Sequence, residues 1–140
     1  MAEIQDTILV TIVTPAGTRD EYNVKHIRAP GSEGDFGVLP GHLPLMTSLR
    51  IGAIYLDTVQ GQQVWSTSGG YVEVLGNRVT ILAETAEKAD KIELERAEAA
   101  RDRALGRISK KATDLDIARA RLALNRAINR IKTVKESRKD

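Results

Sequence analysis

Cysteine is absent from the 140 residues. That excludes a disulfide framework and a cysteine-ligated zinc site. No apolar run approaches the roughly 18 residues that span a bilayer. Only two histidines occur, His26 and His42, and a strand histidine such as His26 reads as a surface or edge residue. There is no Gly-x-x-x-x-Gly-Lys phosphate loop and no Gly-x-Ser-x-Gly elbow. The acids of the first half are scattered through turns, so nothing supports a catalytic role. The opening Met-Ala-Glu-Ile-Gln-Asp carries acids where a signal peptide has bases and then an apolar core. The expectation is a cytoplasmic protein that meets a membrane only through a partner.

The scarce residue types are also unevenly placed. The prolines stop at Pro44, and the five aromatics (Tyr22, Phe36, Tyr55, Trp65, Tyr71) stop at Tyr71. Up to Thr85 five bases face nine acids, a net of −4, and the remainder carries +6. Two compositions imply two structural regimes, with the border near Glu84 to Asp90. The expected fold is α+β: an N-terminal antiparallel β-sandwich over 1–86, then a C-terminal antiparallel two-helix hairpin over 87–140.

In the first regime, Thr7 to Thr14 is β-branched and closes on Pro15-Ala-Gly. Val24 to Ala29 reads as a short strand ended by Pro30-Gly31. From Gly31 to Gly52, glycines and prolines punctuate brief apolar runs, which predicts tight turns joining very short strands. Ile51 to Asp57 is apolar on both faces, as in a strand inside a sandwich. Gln63 to Thr67 and Tyr71 to Leu75 flank Ser68-Gly69-Gly70, a hairpin signal. Gly76-Asn77 turns the chain into Val79 to Leu82. This spacing of strands suggests a sandwich, with Trp65 as core or interface.

After Thr85 the chain turns to Ala, Glu, Lys, Arg and Leu, good helix formers. Asp90-Lys-Ile-Glu93 resembles a capping box and predicts a helix over 91–109. Its stripe is thin: Ile92, Ala97, Ala100, Ala104, Leu105 and Ile108. A break over 109–113 follows, and Thr113 caps a second helix over 114–135. That stripe is Ile117, Ala120, Leu124, Ile128 and Ile131, with Leu122 beside it. A short loop makes the pair antiparallel. An alanine stripe removes little apolar area from water, so the hairpin is either weakly held and able to open, or closely packed and static.

Four segments in register carry a resemblance. Gly34-Asp-Phe-Gly-Val-Leu-Pro-Gly-His42 with Pro44-Leu, Ser68-Gly-Gly-Tyr-Val-Glu73, Val79-Thr-Ile-Leu-Ala-Glu84 and Arg121-Leu-Ala-Leu-Asn-Arg-Ala-Ile-Asn-Arg130 resemble the epsilon subunit of the F-type ATP synthase, bacterial type. The resemblance implies a ten-stranded sandwich with a helical hairpin, in a non-catalytic rotor subunit of the central stalk. It implies the gamma subunit and the c-subunit ring as partners of the sandwich, with Asp35 and His42 at those contacts. It implies that the hairpin can open toward the beta and alpha subunits and inhibit ATP hydrolysis. The bases Arg119, Arg121, Arg126, Arg130, Lys132 and Lys135 would then face an acidic segment. The place would be the cytoplasmic face of the cell membrane, peripheral to it.

Some bacterial members also bind ATP on the folded hairpin, as a regulatory ligand and not a required cofactor. Their motif falls here on Ile92-Glu-Leu-Glu-Arg-Ala97, with Glu93 where the family has Asp. Glu87, Ile92, Glu93, Arg96, Ala97, Arg103, Arg126 and Arg130 are thereby the ATP-site candidates. Leu115-Asp-Ile-Ala-Arg-Ala120 fits the pattern without substitution, but it stands where a second helix starts, with acid in the first turn and base one turn on. Two other readings stand beside the rotor: a basic helix on a β-domain that binds nucleic acid, and an adaptor whose hairpin never moves. The basic helix has no aromatic to stack on bases.

Overall fold

The computed structural model describes residues 6–110 and 113–139. The expectation placed on the first residues falls largely outside that range, as does the middle of the interhelix break. The β-branched run after Thr7 forms β1 (Ile8–Val13), whose alternate residues Ile8, Val10 and Ile12 are buried. β2 (Arg19–Gly31) is more than twice the expected strand, because it begins in the polar run Arg19-Asp-Glu. Arg19 and Glu21 point to solvent, with Asp20 half-buried between them, while the strand zips antiparallel onto β1, from Ile8↔Val24 to Val13↔Arg19. Charged residues on one face of a half-buried strand conceal it from a reading of apolar runs.

The Gly31 to Gly52 stretch holds two short strands as expected, β3 (Gly34–Val38) and β4 (Leu45–Leu49). Then come β5 (Gly52–Thr58), β6 (Gly61–Thr67), β7 (Gly70–Leu75), β8 (Arg78–Ala83) and the three-residue β9 (Ala86–Lys88). The described residues thus hold nine strands, where the resemblance implies ten. Neighbours run β1-β8-β7-β4-β2-β5-β6-β9, with β3 on β2, and β1 also pairs β2. The path β1-β8-β7-β4-β2 therefore closes on itself. Its ladders are antiparallel except β1 with β8, which is parallel. One core of Ile, Val and Leu fills the interior, with Ile8, Val10, Ile12, Val24, Ile27, Ile54, Leu56 and Ile81 at 1% exposure or less. Trp65 joins it, edge-on to Tyr22 at 6.0 Å between centroids, with its indole N–H donating to Gln63 Oε1 at 3.1 Å.

Ser68-Gly69-Gly70 is not a hairpin turn. β6 pairs β5 and β9, and β7 pairs β4 and β8. The glycines serve close approach and backbone shape: Gly70 has φ +136, and a Cβ there would sit 2.1 Å from Leu82 O. The chain passes here from one strand group to the other. Gly76-Asn77 is a true two-residue hairpin, Leu75↔Arg78, with Gly76 at φ +58.

The first helix starts later than its sequence suggests. A single 3-10 turn (Ala89–Lys91) precedes an extended Ile92-Glu93, and α1 spans Leu94–Ser109. Asp90 does not cap it; its carboxylate lies 3.7 Å from Lys88 Nζ. The extended pair lets Ile92 reach a small second core with Ala97, Ile131 and Val134. α2 (Asp114–Ser137) is capped as expected, by Thr113 Oγ1 accepting from Asp116 N at 3.2 Å. The start of α1 and the end of α2 share that second core, so the helices run antiparallel. Their shared face is alanine: Ala97, Ala104, Ala120 and Ala127 are at 2% exposure or less. Leu105, Leu122 and Ile128, expected on or beside the stripes, are instead exposed, because Ala-to-Ala approach leaves no depth for longer side chains there.

Candidate functional site

The site is built where α2 lies on the sheet. At 100° per residue, Ala120, Ala127, Ile131 and Val134 form one face of α2, toward α1. Asn129 and Thr133, one turn apart, form another. Asn129 reaches the sheet: its Nδ2 donates to Gly52 O at 2.8 Å and Ser66 Oγ at 3.0 Å, with Thr67 O at 3.4 Å. Thr133, fully buried, donates back to Asn129 O at 2.7 Å. Beside this clasp, Arg130 bridges to β9. Its Nη2 donates to Glu87 Oε2 at 3.0 Å, while Nε sits 2.9 Å from Oε1 without hydrogen-bond alignment. Arg126, one turn earlier, is exposed and has no ion pair among the described residues.

Between these groups lies a cleft of about 250 Å³, lined by Ser66, Thr67, Ser68, Thr85, Glu87, Arg126 and Arg130. Three of the eight ATP-site candidates, Glu87, Arg126 and Arg130, thus meet in one place. The rest do not line it. Ile92 and Ala97 are spent in the second core. Glu93 and Arg96 pair with each other at 4.0 Å on the surface. Arg103 is exposed on α1. In the second copy of the motif pattern, Leu115 is 60% exposed and Ala120 is buried.

The six bases of α2 do not share a face. Arg119, Arg126 and Arg130 fall within about 40° of one another, on the cleft side. Arg121, Lys132 and Lys135 fall on the far flank, and all but Arg130 are exposed. Asp35 and His42 are likewise kept apart. Asp35 lies at the start of β3, and His42 in the turn beyond its end, with three residue steps of strand, roughly 10 Å, from Asp35 to the strand's last residue, Val38. Asp35 is held by Arg50 Nη2, whose Nη1 also donates to Gly31 O. His42 Nδ1 lies 2.6 Å from Leu43 O. Around His42 the surface is apolar, with Leu39, Leu43 and Met46 at 61%, 79% and 69% exposure. Gly41 N donates to Asn77 Oδ1, which fastens this loop to the β7–β8 turn.

Sequence reasoning missed Asn129, Arg50 and the hydroxyls Ser66, Ser68 and Thr85. Asn129 did leave a signal. Asparagine competes with the helix backbone for hydrogen bonds, and one set in mid-helix between Ile128 and Arg130 is placed for a partner outside the helix.

Comparison with known proteins decides the family. The ATP synthase delta/epsilon chain β-sandwich domain matches residues 7–89, and the delta/epsilon long α-helix domain matches 90–135. The chain belongs to the ATP synthase epsilon chain family. An epsilon chain of Anoxybacillus flavithermus is 44% identical over 102 residues, 73% of this chain and 76% of that one. That of Bacillus subtilis is 46% identical over 103 residues, 74% and 78% of the two chains. The fold is similar to a chain in a Euglena gracilis mitochondrial ATP synthase structure (OSCP/F1/c-ring), TM-score 0.77 at 22% identity, covering 97% of this chain and 83% of that one. As an epsilon-family chain this is a subunit of the synthase and not its catalytic part. No helix among the described residues is long and apolar enough to cross a membrane.

Proposed function

We propose that this chain is the rotor subunit that couples ring rotation to ATP synthesis, and that its hairpin is a nucleotide-sensitive latch on ATP hydrolysis. The sandwich would grip the gamma subunit and rest on the c-subunit ring, at the cytoplasmic face of the membrane. The exposed apolar patch around His42 supports that role, since contiguous apolar surface marks a contact. The acid at Asp35 suits a basic ring loop, although Arg50 must share it. The grip and the latch follow the expected division, 1–86 and 87–140, with the border moved past β9 (Ala86–Lys88), which pairs β6 and so stays with the grip.

One observation carries the latch reading. α2 is held to the sandwich by a few polar contacts, Asn129 to Gly52 and Ser66 and Arg130 to Glu87, and to α1 and the residues before it by alanines and one small apolar core of Ile92, Ile131 and Val134. Polar contacts of this kind are individually modest, and the apolar core beside them is only a few side chains, so the docked state is held by a small set of contacts that a partner can replace. Released, α2 would present bases on both flanks to an acidic segment of the beta subunits, which adds encounter rate and register. ATP held by Arg126, Arg130 and Glu87 would favour the docked form. The nucleic-acid reading loses its ground, because the bases form no single stripe.

The test is ATP hydrolysis by the catalytic sector, reconstituted with the full chain, with Arg126→Ala/Arg130→Ala, or with a chain ending at Lys91. That end point retains β9, which a cut at Glu84 would strip from β6. Inhibition by the full chain alone, relieved by millimolar ATP, is the expected result. Equal hydrolysis with all three bound would mean a static hairpin and an adaptor.

A further inference from the structure

Asp35 and the Asn129 clasp stand on one short piece of framework. β2 pairs β3 at Pro30↔Asp35. Pro30 also abuts Gly52, where an added Cβ would stand 2.5 Å from Pro30 Cβ. Gly52 O is the acceptor that Asn129 reaches at 2.8 Å. Arg50 closes this junction twice. Its backbone N donates to Pro30 O at 3.0 Å. Its guanidinium forks, with Nη1 donating to Gly31 O and Nη2 to Asp35. Among the described residues, Arg50 and Asp35 form an ion pair with each other and with no other group.

A guanidinium is one rigid plane, so the group that satisfies Asp35 is also the group that holds Gly31 O. Were Asp35 to turn to another base, the guanidinium would lose its charged anchor and, with it, its hold on Gly31. The link from Arg50 into β5 would then be tied to β2 by the backbone bond alone. Gly52 is the first residue of β5, ordered on one side by Thr67 of β6 and on the other by this link. Asn129 needs Gly52 O in place, and an acceptor that must be ordered on docking costs entropy.

We propose that Arg50 is a positioning residue that couples the Asp35 surface to the hairpin: while it holds Asp35 it fixes the link that presents Gly52 to Asn129, and a basic partner that takes Asp35 loosens α2. That such a partner exists, the ring, rests on the reading above; the coupling inside the chain does not. Both side chains are about half exposed, at 47% and 53%, so the pair has the worth of a surface pair and the effect is bounded at about fivefold. Linkage makes it reciprocal: a docked hairpin weakens the partner's hold on Asp35 by the same factor.

The experiment is amide exchange of the full chain, read at 127–134. Asp35→Asn should accelerate these amides about three- to fivefold and leave β1 and β8 unchanged. Arg50→Gln should do the same. Asp35→Glu, which keeps the carboxylate, should restore wild-type exchange. The deciding readout is a double-mutant cycle. In an Asn129→Ala chain, Asp35→Asn should add almost nothing, because the acceptor it positions is no longer used. Unchanged exchange in Asp35→Asn overturns the proposal. Equal acceleration of β1 and β8 overturns it too, since that is a weakened sandwich, and so do effects that simply add in the double variant. The ring reading is judged apart, by co-sedimentation with purified c-subunit ring. An Asp35→Asn chain that binds the ring as well as wild type ends the role of Asp35 there, whatever the exchange shows.

Discussion

Replacing Asn129 by alanine should loosen the hairpin and leave the sandwich intact. The amide nitrogen carries two hydrogens, so it makes two full bonds, to Gly52 O and Ser66 Oγ, and Thr67 O at 3.4 Å takes a minor share. Each bond is worth about 1 kcal/mol net. Asn129 and Gly52 are half-buried, but Ser66 and Thr67 are buried, so acceptors left unpaired make that figure a lower bound. The sum, at least about 2 kcal/mol, changes the docked-to-released ratio roughly 30-fold or more. Hydrogen exchange followed residue by residue reads this directly. Amides of 127–134 should exchange roughly 30-fold faster or more in Asn129→Ala while those of β1 and β8 stay unchanged. Asn125→Ala, an exposed asparagine one turn away, controls for helix propensity. Unchanged exchange in α2 would refute the clasp. Equal acceleration in β1 and β8 would mean that helix and sandwich open only together, and the latch reading would lose its physical basis.

Three further predictions follow from local geometry. Gly70→Ala should unfold or severely destabilise the sandwich, by about 3 kcal/mol or more, since its Cβ meets backbone at 2.1 Å and φ is +136; a urea midpoint near wild type would contradict this. Gly106→Ala meets open space inside α1 and should stabilise that helix by about 1 kcal/mol, seen as slower α1 exchange. Burial, then Asp20 and Asp90, raise the Tyr22 hydroxyl above its ordinary range. The unfolded tyrosine ionises first, so this stability is whole below about pH 10, and is lost as pH rises through the folded value. Tyr22→Phe should flatten the alkaline fall of the urea midpoint relative to wild type, and an identical fall would exclude Tyr22 as its source.

What the sequence disclosed depended on range. β1, the Gly76-Asn77 hairpin and the Thr113 cap are written in adjacent residues and were legible. β2 was half-legible, because Arg19 to Glu21 look like a loop until β1 is laid beside them. Ser68-Gly69-Gly70 misled, since the same glycines that permit a turn also permit close passage under Leu82. Ile92 was placed in a helix because its demand for the second core depends on Ile131, 39 residues on. The cleft was least legible of all. Its arginines were found by resemblance, but its hydroxyl wall depends on where 66–68 and Thr85 come to rest against α2.

The parallel pairing of β1 with β8 also sets an order of events during synthesis. Leu9 pairs Arg78, so one edge of the first strand waits for chain made much later. At about 5–20 residues per second the interval is roughly 3–14 s. β2 zips to β1 early, yet Ile8, Val10 and Ile12 have no closed interior until β8 leaves the ribosome. The barrier is the entropy of closing a long loop, and a topology of distant pairings folds slowly. Two helices of local contacts need no such wait. The hairpin therefore emerges after the sandwich and forms fast, onto a sandwich that its own synthesis has just allowed to close.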